Sequence, residues 1–558
     1  MAWLEVPVLI LLALVTLSNA EVFTALVDLE NVIYTESNML EAIKMYVKGE
    51  EAKLNLIKQK VDKLDQMNRE AVSDPEHYLG HPVNGYLLVK RFLWEWTEIE
   101  NMVRLDKPKT EYLVNITQYR EFMPDGNDLS GAAAALLRLQ DTYRLDTSSI
   151  ASGKIQGTWT TPQLSAHECF ELGRVAYNAN DHYHTILWMK ESLNRYDAEE
   201  TKNADFSKAT ILDYLAWAVY QSGHMKEAQK YTNDLLAIDP EHERAMNNKA
   251  FFDYHLAKEE GKMRGDDGDI DDEETDEEQG ESKQPKKEPK DAAAEDESTD
   301  DFVPERPSDQ LAERTAYEAL CRGDEDTVAK LNNPSKLKCS YQHYGKPQLF
   351  LCPAKEEVVF VRPYLIMYRE VLSDLEMSIV KGIAAPRLNR ATIQNSVTGK
   401  LEYADYRISK SAWLKPGEHG VIQKIRNRVS AYTNLDMETA EDLQVVNYGI
   451  GGHYEPHFDF ARRKKAYKEG NRIATFLFYM SDVEAGGATV FPMVGARVIP
   501  AKGSAAFWFN LHPNGDGNYD TRHAACPVLA GSKWVSNIWI HEQGQEFRRQ
   551  CDINRNKY

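Results

Sequence analysis

His457 and Asp459 stand two apart in the run Tyr454-Glu455-Pro456-His457-Phe458-Asp459. In an extended strand, side chains two apart point to the same face. An imidazole nitrogen and a carboxylate oxygen can then meet one metal ion. His523, in Thr521-Arg522-His523, is the best third ligand. Two histidines and one carboxylate on one side of an octahedron leave three positions open, the facial triad of non-haem Fe(II) oxygenases. Zinc is the rival metal, since catalytic zinc accepts the same ligand types. Ten residues after His523 comes Lys533, in Gly531-Ser532-Lys533-Trp534. A dicarboxylate that chelates a metal through one end carries a second carboxylate, which needs a counter-charge once buried. Lysine supplies a point charge on a flexible stem. Alone, a His-x-Asp is ordinarily a solvated pair and a lysine a surface residue; their coincidence carries the reading.

The elements that must position these residues lie in 442–545. Alternating runs at 443–448, 473–480, 505–509 and 534–541, broken by Gly and Pro turns, are a pattern of strands. It predicts a double-sheet jelly roll, with His-x-Asp and His523 coming from opposite ends of the core to meet in its mouth. Residues 357–433 read as strands and helices flanking that core, including Arg407-Ile408-Ser409-Lys410-Ser411-Ala412-Trp413.

At 558 residues the chain exceeds one ordinary domain, and about three or four are expected. The net charge is −21. No basic stripe is present, and the acidic balance argues against nucleic acid. Residues 1–20 read as a secretory signal: 6–17 is almost wholly apolar and Ser18-Asn19-Ala20 offers a small-residue cleavage site. The run is short for a membrane span, and no later stretch is long enough for one. A secretory address permits disulfides. The six cysteines are 169, 321, 339, 352, 526 and 551, and six allow fifteen pairings. Cys169 sits in an apolar helical pattern and reads as a buried thiol. Asn115-Ile116-Thr117 is an N-glycosylation acceptor. Asn556-Lys557-Tyr558 is no retrieval signal, so a resident enzyme would need retention by a partner.

Leu26, Leu29, Ile33, Leu40, Ile43, Val47, Leu54, Ile57, Val61 and Leu64 fall on alternating a and d positions, with Glu36 and Glu50 on two d positions. Nearly six heptads predict a long helix with a coiled-coil seam and self-association; a helix packed on its own domain is the plainer alternative. Further helices are expected at 87–102 and 131–145, in an all-α region over 21–157. Residues 163–256 carry the spacing of tetratricopeptide-type hairpins, with Ala228 and Pro240 twelve apart. This stretch is rich in tyrosine. Asp213, Trp217 and Tyr220 share one helix face, and Arg244, Asn248 and Phe251 another. Core packing is the default for each, yet aromatic grooves grip polyproline II chains. The expected groove is Tyr177, Tyr214, Trp217, Arg244, Asn248 and Phe251. Residues 259–302 hold twenty acidic and six basic side chains, −14 of the total charge, and are expected to be a disordered spacer. Residues 303–558 become globular again, with the oxygenase core at about 440–545.

Asn447-Tyr448-Gly449, Pro456-His457-Phe458-Asp459, Asn471-Arg472-Ile473-Ala474-Thr475, Gly486-Gly487-Ala488-Thr489-Val490-Phe491-Pro492, His523 and Lys533 together resemble the 2-oxoglutarate-dependent prolyl 4-hydroxylases. The match is to the α subunit of collagen prolyl 4-hydroxylase. The resemblance implies that His457, Asp459 and His523 bind Fe(II). It also implies that Lys533, helped by the Tyr448 hydroxyl, holds the distal carboxylate of 2-oxoglutarate, with Thr475 against the co-substrate. Cys321–Cys339 and Cys526–Cys551 are the implied disulfides, with Cys352 competing for Cys339. The implied reaction is hydroxylation at C4 of proline in X-Pro-Gly sequences of procollagen, with L-ascorbate as a further cofactor, in the endoplasmic reticulum lumen. The implied assembly is an α2β2 tetramer with protein disulfide isomerase as β subunit. A collagen-binding chaperone, or a secretory hydroxylase of another proline-rich or lysine substrate, is the rival reading. His541 also resembles a family histidine near the co-substrate, but eight residues of unbroken strand would set its Cα about 26 Å from that of Lys533.

Overall fold

The computed structural model describes residues 22–47, 54–104, 117, 123–155, 158–198, 206–259, 302–308, 312–324, 337–394, 400–462 and 468–553. The expected signal, Asn115 and most of the acidic spacer lie outside them. The chain forms two compact units, one of residues 1–164 with 309–558, the other of residues 165–308.

The larger unit is built on two antiparallel sheets. Its strands are β1 (Cys339–Gln342), β2 (Ala354–Phe360), β3 (Leu365–Arg369), β4 (Asn389–Arg390), β5 (Arg407–Ile408), β6 (Lys410–Leu414), β7 (Leu443–Tyr448), β8 (His453–His457), β9 (Arg472–Tyr479), β10 (Thr489–Phe491), β11 (Ala496–Val498), β12 (Ala505–Phe509), β13 (His523–Ala525) and β14 (Lys533–His541). The first sheet has nine strands, in the order β1-β2-β3-β12-β9-β14-β7-β6-β4. The second has five, in the order β11-β10-β13-β8-β5. Central strand β9 shows why its sequence is almost continuously apolar. Phe476 and Phe478 enter a core beneath two covering helices, Asp374–Ala384 and Gly420–Thr433. Leu477 and Tyr479 enter the core between the sheets with Tyr448, Phe491, Trp508 and Val535. A strand buried on both faces loses the usual polar alternation.

The N-terminal helices belong to this unit rather than to a separate domain. They are α1 (Leu26–Val47), α2 (Leu54–Ser73), α3 (Pro75–Leu79), α4 (Pro82–Arg91), α5 (Thr97–Arg104) and α6 (Gly126–Tyr143). The heptad pattern does not make one long helix with a free seam. It is divided between α1 and α2, which pack on each other. Of the seam positions, Leu26, Leu29, Ile33, Leu40, Ile57, Val61 and Leu64 are all buried within this chain. A helix pressed between neighbours needs an apolar stripe as much as a coiled coil does, so the repeat alone did not distinguish them. Glu36, placed on a d position of the seam, is fully buried against Arg91 at 2.6 Å. Burial holds its carboxyl up at about 8 despite that guanidinium.

Among the described residues the smaller unit has five helices: α7 (Ala166–Asn178), α8 (His182–Ala198), α9 (Lys208–Gln221), α10 (Met225–Ile238) and α11 (Glu243–Glu259). Ser165 and Glu168 close a capping box that starts α7, each satisfying a backbone N–H that the helix leaves open. The interior is Phe170, Ile186, Met189, Leu215, Ala218, Ala228 and Phe252. Cys169 is buried in α7.

Candidate metal centre

The two histidines do not come from opposite ends of the core. β8 and β13 are antiparallel neighbours, and His457 stands directly across from His523. Asp459 follows just beyond the end of β8. One ligand atom from each of the three lies within 4.8 Å of the others, the only such group of three or more His, Cys, Asp or Glu among the described residues. Asp459 Oδ1 is 3.7 Å from His457 Nε2 and Oδ2 is 3.6 Å from His523 Nε2. His457 Nδ1 donates to the Glu455 carbonyl at 2.7 Å, and His523 Nδ1 to that of Thr521 at 2.9 Å. A carbonyl only accepts, so each Nε2 keeps its lone pair toward the centre. Burial, then the neighbouring His523, lowers the His457 imidazole to about 3. Burial works against Asp459, but His523, His457, Arg472 and a hydrogen bond from Thr475 outweigh it and hold the carboxyl at about 2. Neutral imidazole and ionised carboxylate are the forms that ligate a cation.

Thr475 serves this carboxylate. Its hydroxyl donates to Asp459 Oδ2 at 2.7 Å and accepts from Asn510 Nδ2 at 2.9 Å. Asn510 Oδ1 in turn accepts from Trp508 Nε1 at 2.8 Å. The Trp508 ring packs against His523 with centroids 4.8 Å apart. Asn510 and Trp508 carried no sequence signal, because their role depends on strand β12 lying beside β9.

Lys533 opens β14, opposite Tyr448 on β7. It lines the same pocket as the triad. Only 1% of the residue is exposed, and Nζ has no hydrogen-bond partner. It sits over the Tyr448 ring, 4.8 Å from the centroid. Burial alone lowers the ammonium to about 7, and burial, against the nearby Arg407 charge and with those of Tyr454 and Asp459, raises the Tyr448 phenol to about 12. The pleat puts Val535, Asn537 and Trp539 on the pocket side after Lys533. That alternation was available from the sequence, counting in twos from Lys533. His541 lies at the far end of the same unbroken strand, bonded to Glu441 at 3.0 Å and to the Gly470 carbonyl at 2.8 Å.

The cysteine pairing differs from the expectation. Cys321 is bonded to Cys526, with Cα atoms 5.5 Å apart, while Cys339, Cys352 and Cys551 are exposed free thiols. Cys321 ends a helix whose apolar face packs on Ala488, Val490, Ala524 and Cys526. Cys339 lies on β1, at the outer edge of the nine-stranded sheet. Packing of distant segments decides which thiols meet, and sequence separation does not show it.

In the helical unit, Tyr177 and Tyr214 have ring centroids 4.7 Å apart. Arg244 Nε donates to Asp213 at 2.8 Å, and Tyr220 links Trp217 and Phe251 at 5.6 and 5.7 Å. Asn248 is half-buried on α11 between Arg244 and Phe251. Phe251 is 42% exposed.

Comparison with known proteins agrees with this geometry. The chain is 46% identical over 548 residues to human prolyl 4-hydroxylase subunit alpha-1, covering 97% of each. The chain belongs to the prolyl 4-hydroxylase alpha-subunit family. It is 44% identical over 538 residues to the chicken alpha-2 subunit, covering 96% of each. It is 42% identical over 559 residues to the Caenorhabditis elegans alpha-2 subunit, covering 98% of this chain and 96% of that one. Residues 25–157 match the prolyl 4-hydroxylase alpha-subunit N-terminal region, 166–258 the prolyl 4-hydroxylase peptide-substrate-binding domain, and 443–541 the 2OG-Fe(II) oxygenase superfamily. The chain is therefore a prolyl 4-hydroxylase, a dioxygenase that uses Fe(II) and 2-oxoglutarate. No helix among the described residues is long and apolar enough to cross a membrane.

Proposed function

We propose that the chain hydroxylates C4 of proline in X-Pro-Gly sequences of procollagen, with His457, Asp459 and His523 holding Fe(II) and Lys533 holding 2-oxoglutarate. The observation that carries the site assignment is the unpartnered Lys533 Nζ, buried in the pocket that the triad closes. A buried ammonium without a partner is costly, and a distal carboxylate is the partner that fits. The donor set fits Fe(II): two imidazole nitrogens, one carboxylate, and a pocket on the remaining side.

The chemistry that Fe(II) and 2-oxoglutarate supply when bound is O2-dependent hydroxylation at C4, with succinate and CO2 released. The chain's own residues bind, orient and shield. The His457 and His523 Nδ1 bonds to backbone fix which ring nitrogen faces the centre. Thr475 steadies Asp459. Val446, Leu477, Val535 and Trp508 line the pocket with apolar surface, which excludes water and so strengthens the attraction between the Lys533 ammonium and a carboxylate. The Tyr448 hydroxyl is the second donor for the distal carboxylate.

The helical unit, with Tyr177, Tyr214, Trp217, Arg244, Asn248 and Phe251, is proposed to grip the proline-rich peptide. The acidic spacer lets 163–256 hold one stretch while the core at about 440–545 works on another. Ascorbate, protein disulfide isomerase as β subunit, self-association, a signal at 1–20, glycosylation at Asn115 and an endoplasmic reticulum lumen address belong to this proposal and rest on the family resemblance and the sequence.

The test is 2-oxoglutarate decarboxylation by the chain co-expressed with the isomerase, with Fe(II), ascorbate and a (Pro-Pro-Gly)-type peptide. Peptide-stimulated succinate with one oxygen gained per modified proline, abolished in Asp459→Ala, is expected. Tight peptide binding without turnover would favour the chaperone reading, and hydroxylation retained in Asp459→Ala would remove the triad.

A further inference from the structure

The strand that carries His457 is held regularly on one side only: β5 pairs with His453 and Tyr454, and Glu455 N donates to the Tyr406 carbonyl at 2.9 Å. Between β8 and β13, Tyr454 pairs with Ala525 and His457 with His523, with a shift of register between them. Three steps on β8 therefore face two on β13, and the extra residue falls at Glu455-Pro456. A bulge leaves a residue unpaired, and Pro456 has no N–H to offer. Glu455 nevertheless has to be fixed, because its carbonyl orients His457.

The Glu455 side chain is held from a helix outside both sheets, α12 (Arg314–Arg322). Two consecutive residues at its start carry opposite charges and reach both ligand-bearing strands. Arg314 Nη2 donates to Glu455 Oε1 at 2.9 Å. Glu313 accepts from Arg522 Nε, and Arg522 lies between Thr521, whose carbonyl orients His523, and His523 itself. The Arg522 guanidinium also lies 5.1 Å from the Phe458 ring centroid, between His457 and Asp459 in sequence. The far end of α12 is anchored by Cys321–Cys526, and Cys526 is three residues past His523. All four charged side chains are 19–27% exposed, so water weakens these pairs without abolishing them.

We propose that Glu313 and Arg314 are positioning residues for the metal centre, clamping the bulge of β8 and the start of β13 so that a divalent cation meets a preassembled His457–His523 pair. The inference rests on the reading of His457, Asp459 and His523 as metal ligands. Partners that orient a ligating histidine are worth roughly ten- to a hundredfold in metal affinity.

The experiment measures Co(II) binding to the full-length chain by visible absorption and Fe(II) binding by anaerobic calorimetry. The variants are Glu313→Gln, Arg314→Met, Glu455→Gln and the charge-exchanged pairs Glu313→Arg/Arg522→Glu and Arg314→Glu/Glu455→Arg. Each single change is expected to weaken metal binding about tenfold and to alter the Co(II) band shape. The KM for 2-oxoglutarate at saturating metal and the unfolding midpoint of the metal-free protein should stay near wild type. At least one exchanged pair should recover most of the affinity. Single variants that bind Co(II) as wild type does would overturn the proposal. So would affinity lost only in step with the unfolding midpoint and recovered by neither exchange. Wild type that binds Co(II) no better than Asp459→Ala would overturn the triad reading and this proposal together, an outcome distinct from the other two.

Discussion

Replacing Lys533 by Met should make the co-substrate-free protein more stable while disabling it. In the unfolded chain the ammonium titrates near 10.5, and burial brings it to about 7 in the folded protein. A depressed lysine pKa means that the unfolded chain binds more protons between those values, so stability rises with pH across that window. At pH 7 the burden on the folded state is about 4 kcal/mol, at pH 9 about 2 kcal/mol, and above 10.5 it is gone, at roughly 1.4 kcal/mol per unit. Methionine keeps the length of the stem and removes the charge, at a packing cost of about 1 kcal/mol. The metal-free variant should therefore outlast wild type in urea near neutral pH, with a margin that shrinks steadily as pH rises. Its affinity for 2-oxoglutarate should fall ten- to a hundredfold, the worth of a charge-assisted hydrogen bond. Urea melts from pH 7 to 10 and calorimetry with the co-substrate measure both. A variant less stable than wild type at pH 7, or a margin that does not change with pH, would refute the account of Lys533 as a buried charge awaiting a partner.

Because the free ammonium is near half-protonated at pH 7 and a bound carboxylate favours its charged form, 2-oxoglutarate binding should take up a proton above neutrality and weaken as pH rises past about 7. Calorimetry at pH 8 in two buffers of different ionisation enthalpy reads that uptake, and its absence would contradict the assignment. Arg244→Ala and Phe251→Ala should each raise the Kd for a (Pro-Pro-Gly)-type peptide about tenfold, as anchoring side chains do, with the KM for 2-oxoglutarate unmoved; a parallel change in that KM would show a general effect on folding. A peptide map without reduction should return a fragment joining Cys321 to Cys526, and fragments joining Cys321 to Cys339 or Cys526 to Cys551 would contradict the packing of α12.

The strands around the site were legible because they rest on periodicity, and the chemistry was legible because three ligands and one lysine at this spacing are a rare combination. What the sequence withheld was always a matter of which distant segments touch. Whether His457 and His523 approach from opposite ends or face each other depends on strand order, and β13 reached its place beside β8 only after crossing the molecule. The heptad run stated an apolar stripe truthfully and left open whether the stripe meets a second chain or its own neighbours. The cysteine pairs failed for the same reason. Thr475 was placed in the pocket by resemblance, but its bond to Asp459 follows from the pleat, two residues short of Leu477 on the same face.

The merging of the N-terminal helices with the oxygenase core has a physical cause at the Lys533 end of the pocket. Tyr448 and Lys533 are cross-strand partners, and each is followed or preceded closely by a glycine whose backbone is bonded to the helical region. Gly449 N donates to the Thr24 carbonyl at 2.9 Å, and Gly531 N to that of Gly80 at 2.8 Å. A Cβ on Gly80 would lie 2.7 Å from Gly531 Cα, so this approach requires glycine. Asn447, fully buried, accepts from Val27 N at 3.3 Å and donates to the Lys533 carbonyl at 3.4 Å. Polar backbone at the rim of a buried charge has to be satisfied by something other than water. Here residues more than 400 positions upstream satisfy it. The two strands that present Lys533 and Tyr448 are thus held from outside the sheets by the helical region, as those that present His457 and His523 are held by α12. The oxygenase core alone contains every residue that would touch Fe(II) or 2-oxoglutarate, yet part of what keeps those residues in place lies outside it.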